Sequence, residues 1–200
     1  MVRAQRKLTI DELAERLALS RSTIYYWVRD LPIERKGRLN AGQRRGSRAM
    51  QRRYRLIREQ AYQEGLESFD ELARDPSFRD FVCLYIAEGS KRNRNRVAIA
   101  NSDVAVLQIA TAWLSRLTSK PIGFWIQYHA DQDPFELRRF WSAALGVHPG
   151  DIRLQRKSNS ARLKGRDSRS RHGVVSAVVH DTLLRARLGA WMDRLRASWR

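Results

Sequence analysis

The chain has 200 residues, 42% of them hydrophobic, which suffices for one domain of ordinary size plus a small one. Lys and Arg outnumber Asp and Glu by 39 to 21, and the resulting charge of +18 makes nucleic acid the default partner. No apolar run approaches the roughly 20 residues of a spanning helix, the first residues lack a signal-peptide core, and the lone Cys83 and four scattered His lack zinc-ligand spacing; these features exclude a membrane partner, an internal disulfide and structural zinc, and lead us to expect a cytoplasmic protein.

From Leu8 to Leu31 the pattern predicts two short helices with a tight turn. The first opens on a capping-box-like Thr9-x-x-Glu12, and Ser20 caps the second. Ile10, Leu13, Ala14, Leu17, Leu19, Ile24, Trp27 and Val28 have the spacing that closes two helices over a small core. The unit resembles the helix-turn-helix of DNA-binding proteins, with Ala14 where the helices touch and Ile24 and Trp27 at inward positions; Ala18 departs from the glycine usual in the turn. That resemblance implies that Arg21, Ser22, Thr23, Tyr25, Tyr26 and Arg29 face a major groove. A plain helical hairpin is the alternative.

Between Arg35 and Arg58 stand ten Lys or Arg and no acid. Such a block repels itself unless phosphates neutralise it, so Arg44, Arg45, Arg48 and Arg52 are candidates for DNA-backbone contact rather than base reading. Gly37, Gly42 and Gly46 predict a loose linker in its first half. Met50, Tyr54, Ile57, Ala61, Gly65, Phe69 and Leu72 recur at three or four and predict a helix in the second.

After Pro76, the run Phe81-Val82-Cys83-Leu84-Tyr85-Ile86-Ala87-Glu88-Gly89 predicts an apolar helix ending in an acid. Leu84 and Glu88 share one face, and the small Cys83 and Ala87 share the next, which would let another helix approach closely. A buried helix whose last residue is a solvated acid is the plainer alternative. A hairpin follows around Asn93 to Asn95, then a helix from Val104 to Leu117 with Leu107, Ala110, Leu114 and Leu117 inward. A strand is predicted from Ile122 to His129, a helix from Pro134 to Leu145, strands from Asp151 to Lys157 and from Gly173 to Val179 around a long loop, and a last helix from Asp181 to Ser198. That loop and its flanks carry Arg153, Arg156, Lys157, Arg162, Lys164, Arg166, Arg169 and Arg171 against Asp167, the composition of a ribbon with a basic tip that could lie in a major groove. Arg92, Arg94 and Arg96 in the first hairpin add to the same charge.

Aligned without gaps, Phe81 to Gly89 resembles the nine-residue signature of the LAGLIDADG family of homing endonucleases. Leu84, Ala87 and Gly89 keep the letter, Glu88 keeps the charge, Cys83 replaces a glycine and Ile86 stands where the family often has a second acid. The step Asn101-Ser102-Asp103 also looks like the family's entry into its second helix. The resemblance implies a curved mixed or antiparallel sheet with packed helices that saddles double-stranded DNA, and a homodimer packed through Cys83, Leu84 and Ala87. It further implies Mg²⁺ bound by Glu88 of each subunit, with Lys91, Lys157 or Lys164 as the assisting cation.

The expected organisation is therefore α+β: a helix-turn-helix unit at 1–34, a basic linker and connecting helix at 35–75, and a LAGLIDADG-like domain at 76–200. The expected activity is sequence-specific duplex binding with Mg²⁺-dependent cleavage. A non-cleaving regulator is the first alternative, since a bacterial sporulation-regulator family joins the same two modules in the opposite order. An RNA-binding or assembly protein is the second.

Overall fold

The computed structural model describes residues 10–29, 41–157 and 170–199, and within these the chain is α+β, with seven α-helices and one four-stranded mixed sheet. It divides into two compact units, Met1–Arg52 and Arg53–Arg200.

In the first unit, helices α1 (Ile10–Leu17) and α2 (Arg21–Val28) are joined by a three-residue turn. Ala18 holds the turn at φ 50°, the left-handed region that glycine adopts freely and alanine does not. The Ser20 side chain accepts from the Thr23 amide at 3.2 Å and caps α2. Leu13 and Ile24 are buried, whereas Trp27, expected inward, is 63% exposed, and Leu17 and Leu19 are exposed too. Two eight-residue helices meet over a single layer, and Trp27 lies almost a turn beyond it. Thr9 lies outside the described residues.

Helix α3 (Ala41–Leu72) is continuous, so Gly42 and Gly46, expected in a loose linker, are helical. Exposure is unbroken from 41 to 56, Met50 and Tyr54 included, and burial along the expected stripe begins at Ile57. Arg35, Lys36, Gly37 and Arg38 lie outside the described residues.

In the second unit, the C-terminal part of α3 is followed by α4 (Pro76–Glu88), β1 (Val97–Asn101), α5 (Val104–Leu117), β2 (Gly123–Tyr128), α6 (Pro134–Leu145), a 3₁₀ turn at Pro149–Asp151, β3 (Ile152–Arg156), β4 (Val174–Val179) and α7 (Thr182–Ala197). Asp75, Asp103, Asp133 and Asp181 each cap a helix N-terminus, accepting backbone amides where the helix leaves donors unpaired. The aromatic centre joins four helices: Phe78 meets Trp113 of α5 at 5.0 Å, Trp191 of α7 at 5.1 Å and Phe69 of α3 at 6.1 Å, each edge to face. Such pairs contribute about 0.5–1.5 kcal/mol each beyond the area they bury.

The strand order is β1-β4-β2-β3, with β4 antiparallel to both neighbours and β3 parallel to β2. A parallel pair needs a crossover, and α6 supplies it. The ribbon expected from residues 151–157 and 173–179 is thereby corrected: β2 lies between β3 and β4, so the two cannot form a hairpin. Arg162, Lys164, Arg166 and Arg169 lie outside the described residues. The hairpin expected near Asn93 reduces to one bridge, Gly89 with Ile99, reinforced by the Ser90 amide donating to the Ala98 carbonyl at 2.8 Å. Among the described residues no helix is long and apolar enough to cross a membrane.

Two substitutions test these local arguments. Ala18→Gly should stabilise the first unit by about 1 kcal/mol by relieving the left-handed turn, read as slower amide exchange at Ile24. Asp181 is buried and accepts from the Leu183 and Leu184 amides at 3.0 Å and from the Thr118 hydroxyl at 2.8 Å, with Lys120 at 3.5 Å. Burial pushes its pKa up, but the Leu184 amide, Thr118, Lys120 and the Leu183 amide outweigh that and hold the carboxyl below its ordinary value. Its contribution is therefore present above the unfolded value of about pH 4 and is lost as pH falls through the lower folded value. Asp181→Ala should cost about 1–3 kcal/mol in urea unfolding at neutral pH and flatten the acid limb of the stability profile.

Candidate functional site

Strand alternation sorts the sheet into two unlike faces. Val97, Ile99, Phe124, Ile126, Ile152, Val175, Ala177 and Val179 point to the helices and are buried in one core. The alternate residues Ala98, Ala100, Trp125, Gln127, Gln155, Ser176 and Val178 line the other face, where with Glu88, Ser90, Arg96 and His180 they enclose a concavity of about 440 Å³. Small apolar side chains alternate there with amides, hydroxyls and the Trp125 indole, Arg96 and His180 stand at the margin, and Glu88 is the one carboxylate among the lining residues.

Glu88 reaches this face because of the residue after it. A Cβ at Gly89 would lie 2.5 Å from the Tyr85 ring and from the Tyr85 carbonyl oxygen, so only glycine lets the chain turn directly from α4 into the sheet edge. The Gly89 amide donates to the Tyr85 carbonyl at 2.9 Å, and the Tyr85 hydroxyl donates to the Ser90 carbonyl at 2.7 Å. Burial pushes the Tyr85 phenol above its usual value, although Arg185 and Arg96 nearby act the other way, so it remains a donor. The last residue of an apolar helix is thus pinned, exposed, beside β1.

The candidate cations do not gather there. Lys91 donates its ammonium to the Ile86 carbonyl at 2.6 Å and reaches the Ala87 carbonyl at 3.5 Å, closing the C-terminal end of α4 rather than standing free beside Glu88. Lys157 follows β3, the edge strand opposite β1, three strand spacings or roughly 14 Å across the sheet. Within one chain, therefore, neither ammonium stands beside Glu88. Lys164 lies outside the described residues.

Arg92 and Arg94 are exposed and Arg96 is half-buried; with Ser90 and Asn93 they line a second concavity of about 430 Å³ at the edge of the first. The loop is held by the Asn95 amide donating to the Asn93 side chain at 2.8 Å and by Arg185 donating to the Lys91 carbonyl at 3.2 Å. Arg153 shares the open face, whereas Arg156 pairs with Tyr128 and so has the parity of the helix-covered face, which separates it from Arg153. On the outside of α4, Cys83 and Leu84 are half-buried and Ala87 is exposed.

In the first unit Arg21, Ser22, Tyr25, Tyr26 and Arg29 are exposed as expected, while Thr23 is half-buried and hydrogen-bonds Ser20 at 2.7 Å. Arg21 pairs with Asp11 at 3.2 Å, and Arg29 lies over the Tyr26 ring at 5.4 Å. Arg44, Arg45, Arg48 and Arg52 are all exposed along α3.

Sequence reasoning passed over Trp125, Gln127, Gln155 and Ser176. Their signal was the parity of the strands: each is one residue out of step with a buried apolar neighbour. Among the described residues no three or more His, Cys, Asp or Glu stand together as a metal-binding group. Comparison with protein-family models, with curated proteins and with solved structures finds no match for this chain.

Lys91→Met tests the capping role. It should lower stability by about 0.5–1 kcal/mol in thermal unfolding, the size of a charge lost from a helix end; an unchanged transition would contradict that role.

Proposed function

We propose that this chain binds duplex DNA on the open face of its sheet and, as a homodimer of LAGLIDADG type, hydrolyses it with Mg²⁺ held by Glu88 of each copy. The observation that carries this reading is the open face itself: it sets the amides Gln127 and Gln155 and the hydroxyl of Ser176 among small apolar residues, it is fringed by Arg92, Arg94, Arg96 and Arg153, and its concavity has one carboxylate, at the end of an apolar helix. Amides, hydroxyls and guanidiniums are the groups that read base edges and hold phosphates, and the charge of +18 supplies the long-range attraction.

The residues fit the metal in a particular way. Mg²⁺ keeps several waters and takes one or two carboxylates plus phosphate oxygens, so an exposed Glu88 from each of two copies, together with a DNA phosphate, makes a suitable donor set. When bound, the ion would stabilise charge on the phosphate and acidify the attacking water. Glu88 would orient it, and Gly89 and Tyr85 would hold Glu88 at the groove. The half-buried Cys83 and Leu84 and the exposed Ala87 give a second copy a small-residue surface to pack on. The first unit fits a helix-turn-helix whose exposed Arg21, Ser22, Tyr25, Tyr26 and Arg29 add a second DNA contact, and Arg44, Arg45, Arg48 and Arg52 would bind phosphates.

One observation favours binding without cutting. Lys91 spends its ammonium on helix carbonyls and Lys157 stands across the sheet, so neither supplies the cation that would assist at Glu88. A transcriptional regulator using the same surfaces is the second reading.

Selection from a random duplex pool with and without Mg²⁺, using the wild type and Glu88→Gln, separates them. The proposal expects enriched sequences and metal-dependent broken ends that vanish in the variant. Enrichment without broken ends supports the regulator, and RNA outcompeting every duplex overturns both. If six or more phosphates are contacted, affinity should fall about a thousandfold between 50 and 200 mM salt.

A further inference from the structure

Among the described residues of the second unit three arginines lie over aromatic rings, and they differ in what their donors do. Arg116 stacks on Trp113 at 3.9 Å and pairs with Asp75 at 3.0 Å. Arg194 lies over Phe69 at 5.6 Å and pairs with Asp70 at 3.1 Å. Arg153 lies over Trp125 at 5.5 Å, and among the described residues no carboxylate or other hydrogen-bond acceptor meets it. The first two stacks hold helices together. The third is exposed on the open face.

The ring beneath Arg153 is itself held in place. Trp125 stands opposite Arg153 in the parallel register of β2 and β3. Its six-membered ring leans over Gly123, where a Cβ would come within 2.5 Å of it, so the glycine is what allows the indole to lie along the strand. Trp125 faces away from the core, half-buried on a surface it shares with Ala98, Ala100, Val178, Gln127, Gln155 and Ser176.

We infer that Arg153 reads a guanine at one fixed position of the bound duplex and that Trp125 is its positioning residue. The inference rests on the open face being the duplex-binding surface. A guanidinium fork matches the paired acceptors O6 and N7 that guanine presents in the major groove. A long arginine normally surrenders rotamer freedom on binding, and stacking on a fixed indole takes much of that loss before the duplex arrives. The same fork would also fit a phosphate, but a phosphate contact carries no sequence preference, which makes the two acceptors distinguishable.

The experiment is selection from a random duplex pool with the full chain, followed by affinity measurements on the enriched duplex and on copies changed at single positions. Wild type should require G at one position. Arg153→Ala should lose that requirement, by about tenfold or more in discrimination at that position, beyond any loss shared by all duplexes. Trp125→Leu should weaken it about two- to fivefold, read as the ratio of affinities for the enriched duplex and its copy changed at that position, and Trp125→Phe should restore the ratio, since a ring again underlies the guanidinium. If Arg153→Ala selects the wild-type sequence with its G intact, the inference fails while duplex binding stands. If it weakens every duplex equally, Arg153 holds a phosphate and the inference fails. If no duplex is enriched, or single strands displace duplexes, the reading beneath it fails as well. Should Trp125→Leu unfold, as thermal melting would show, the Arg153→Ala comparison decides by itself.

Discussion

Among the described residues of the second unit, helices cover one face of the sheet, and that one-sided cover is the constraint on which the unit depends. Its inward residues from Val97 to Val179 share one core with Phe78, Phe81, Trp113, Trp141 and Trp191, and each large apolar side chain buried there contributes about 1.5–3 kcal/mol. A slip of one residue in any strand would turn those side chains to water and bring Gln127, Gln155 or Ser176 inside. Burial of one face thus sets the register, and the register sets which residues the other face can offer. The groove is a consequence of the core.

The junction of α4 with β1 couples the two. Phe81, Val82 and Tyr85 bury the helix, Tyr85 also ties down the chain after it, and Gly89 is the one residue type that fits beneath the Tyr85 ring. Glu88 therefore has no freedom to drift from the edge of the groove, whatever its role there. Lys91, six residues after Tyr85, uses its charge to close the helix end, so the acid and the lysine serve different purposes despite their closeness in the chain.

Much of this order was legible in the sequence. Periodicity alone marks α5 and α6 at their observed bounds, Leu107, Ala110 and Leu114 are buried as expected, and the strands differ by a residue or two at their ends. Pairing was not legible, because alternation tells which face a residue occupies and not which strand lies beside it; residues 151–157 and 173–179 look like a hairpin until α6 carries the chain to the far edge and β2 comes between. Helix α3 starts earlier than its glycines suggest: the helix continues outward through residues 41–56, all exposed, despite a cost of about 1 kcal/mol for each helical glycine. Trp27 was misplaced because spacing counts faces, not how much partner helix is there to cover them. At the site, Glu88 stood out by chemistry and Gly89 by the signature, while Trp125, Gln127, Gln155 and Ser176 were ordinary letters until the sheet set them side by side.

The central claim is that the uncovered face, rather than basic charge in general, engages duplex DNA. Placing one new negative charge on each side of the sheet tests it: Gln127→Glu on the open face and Ala112→Glu at an exposed position of α5 change the net charge equally. Duplex affinity measured for both at one salt concentration should collapse for Gln127→Glu and stay close to wild type for Ala112→Glu. Equal losses in the two variants would contradict the account.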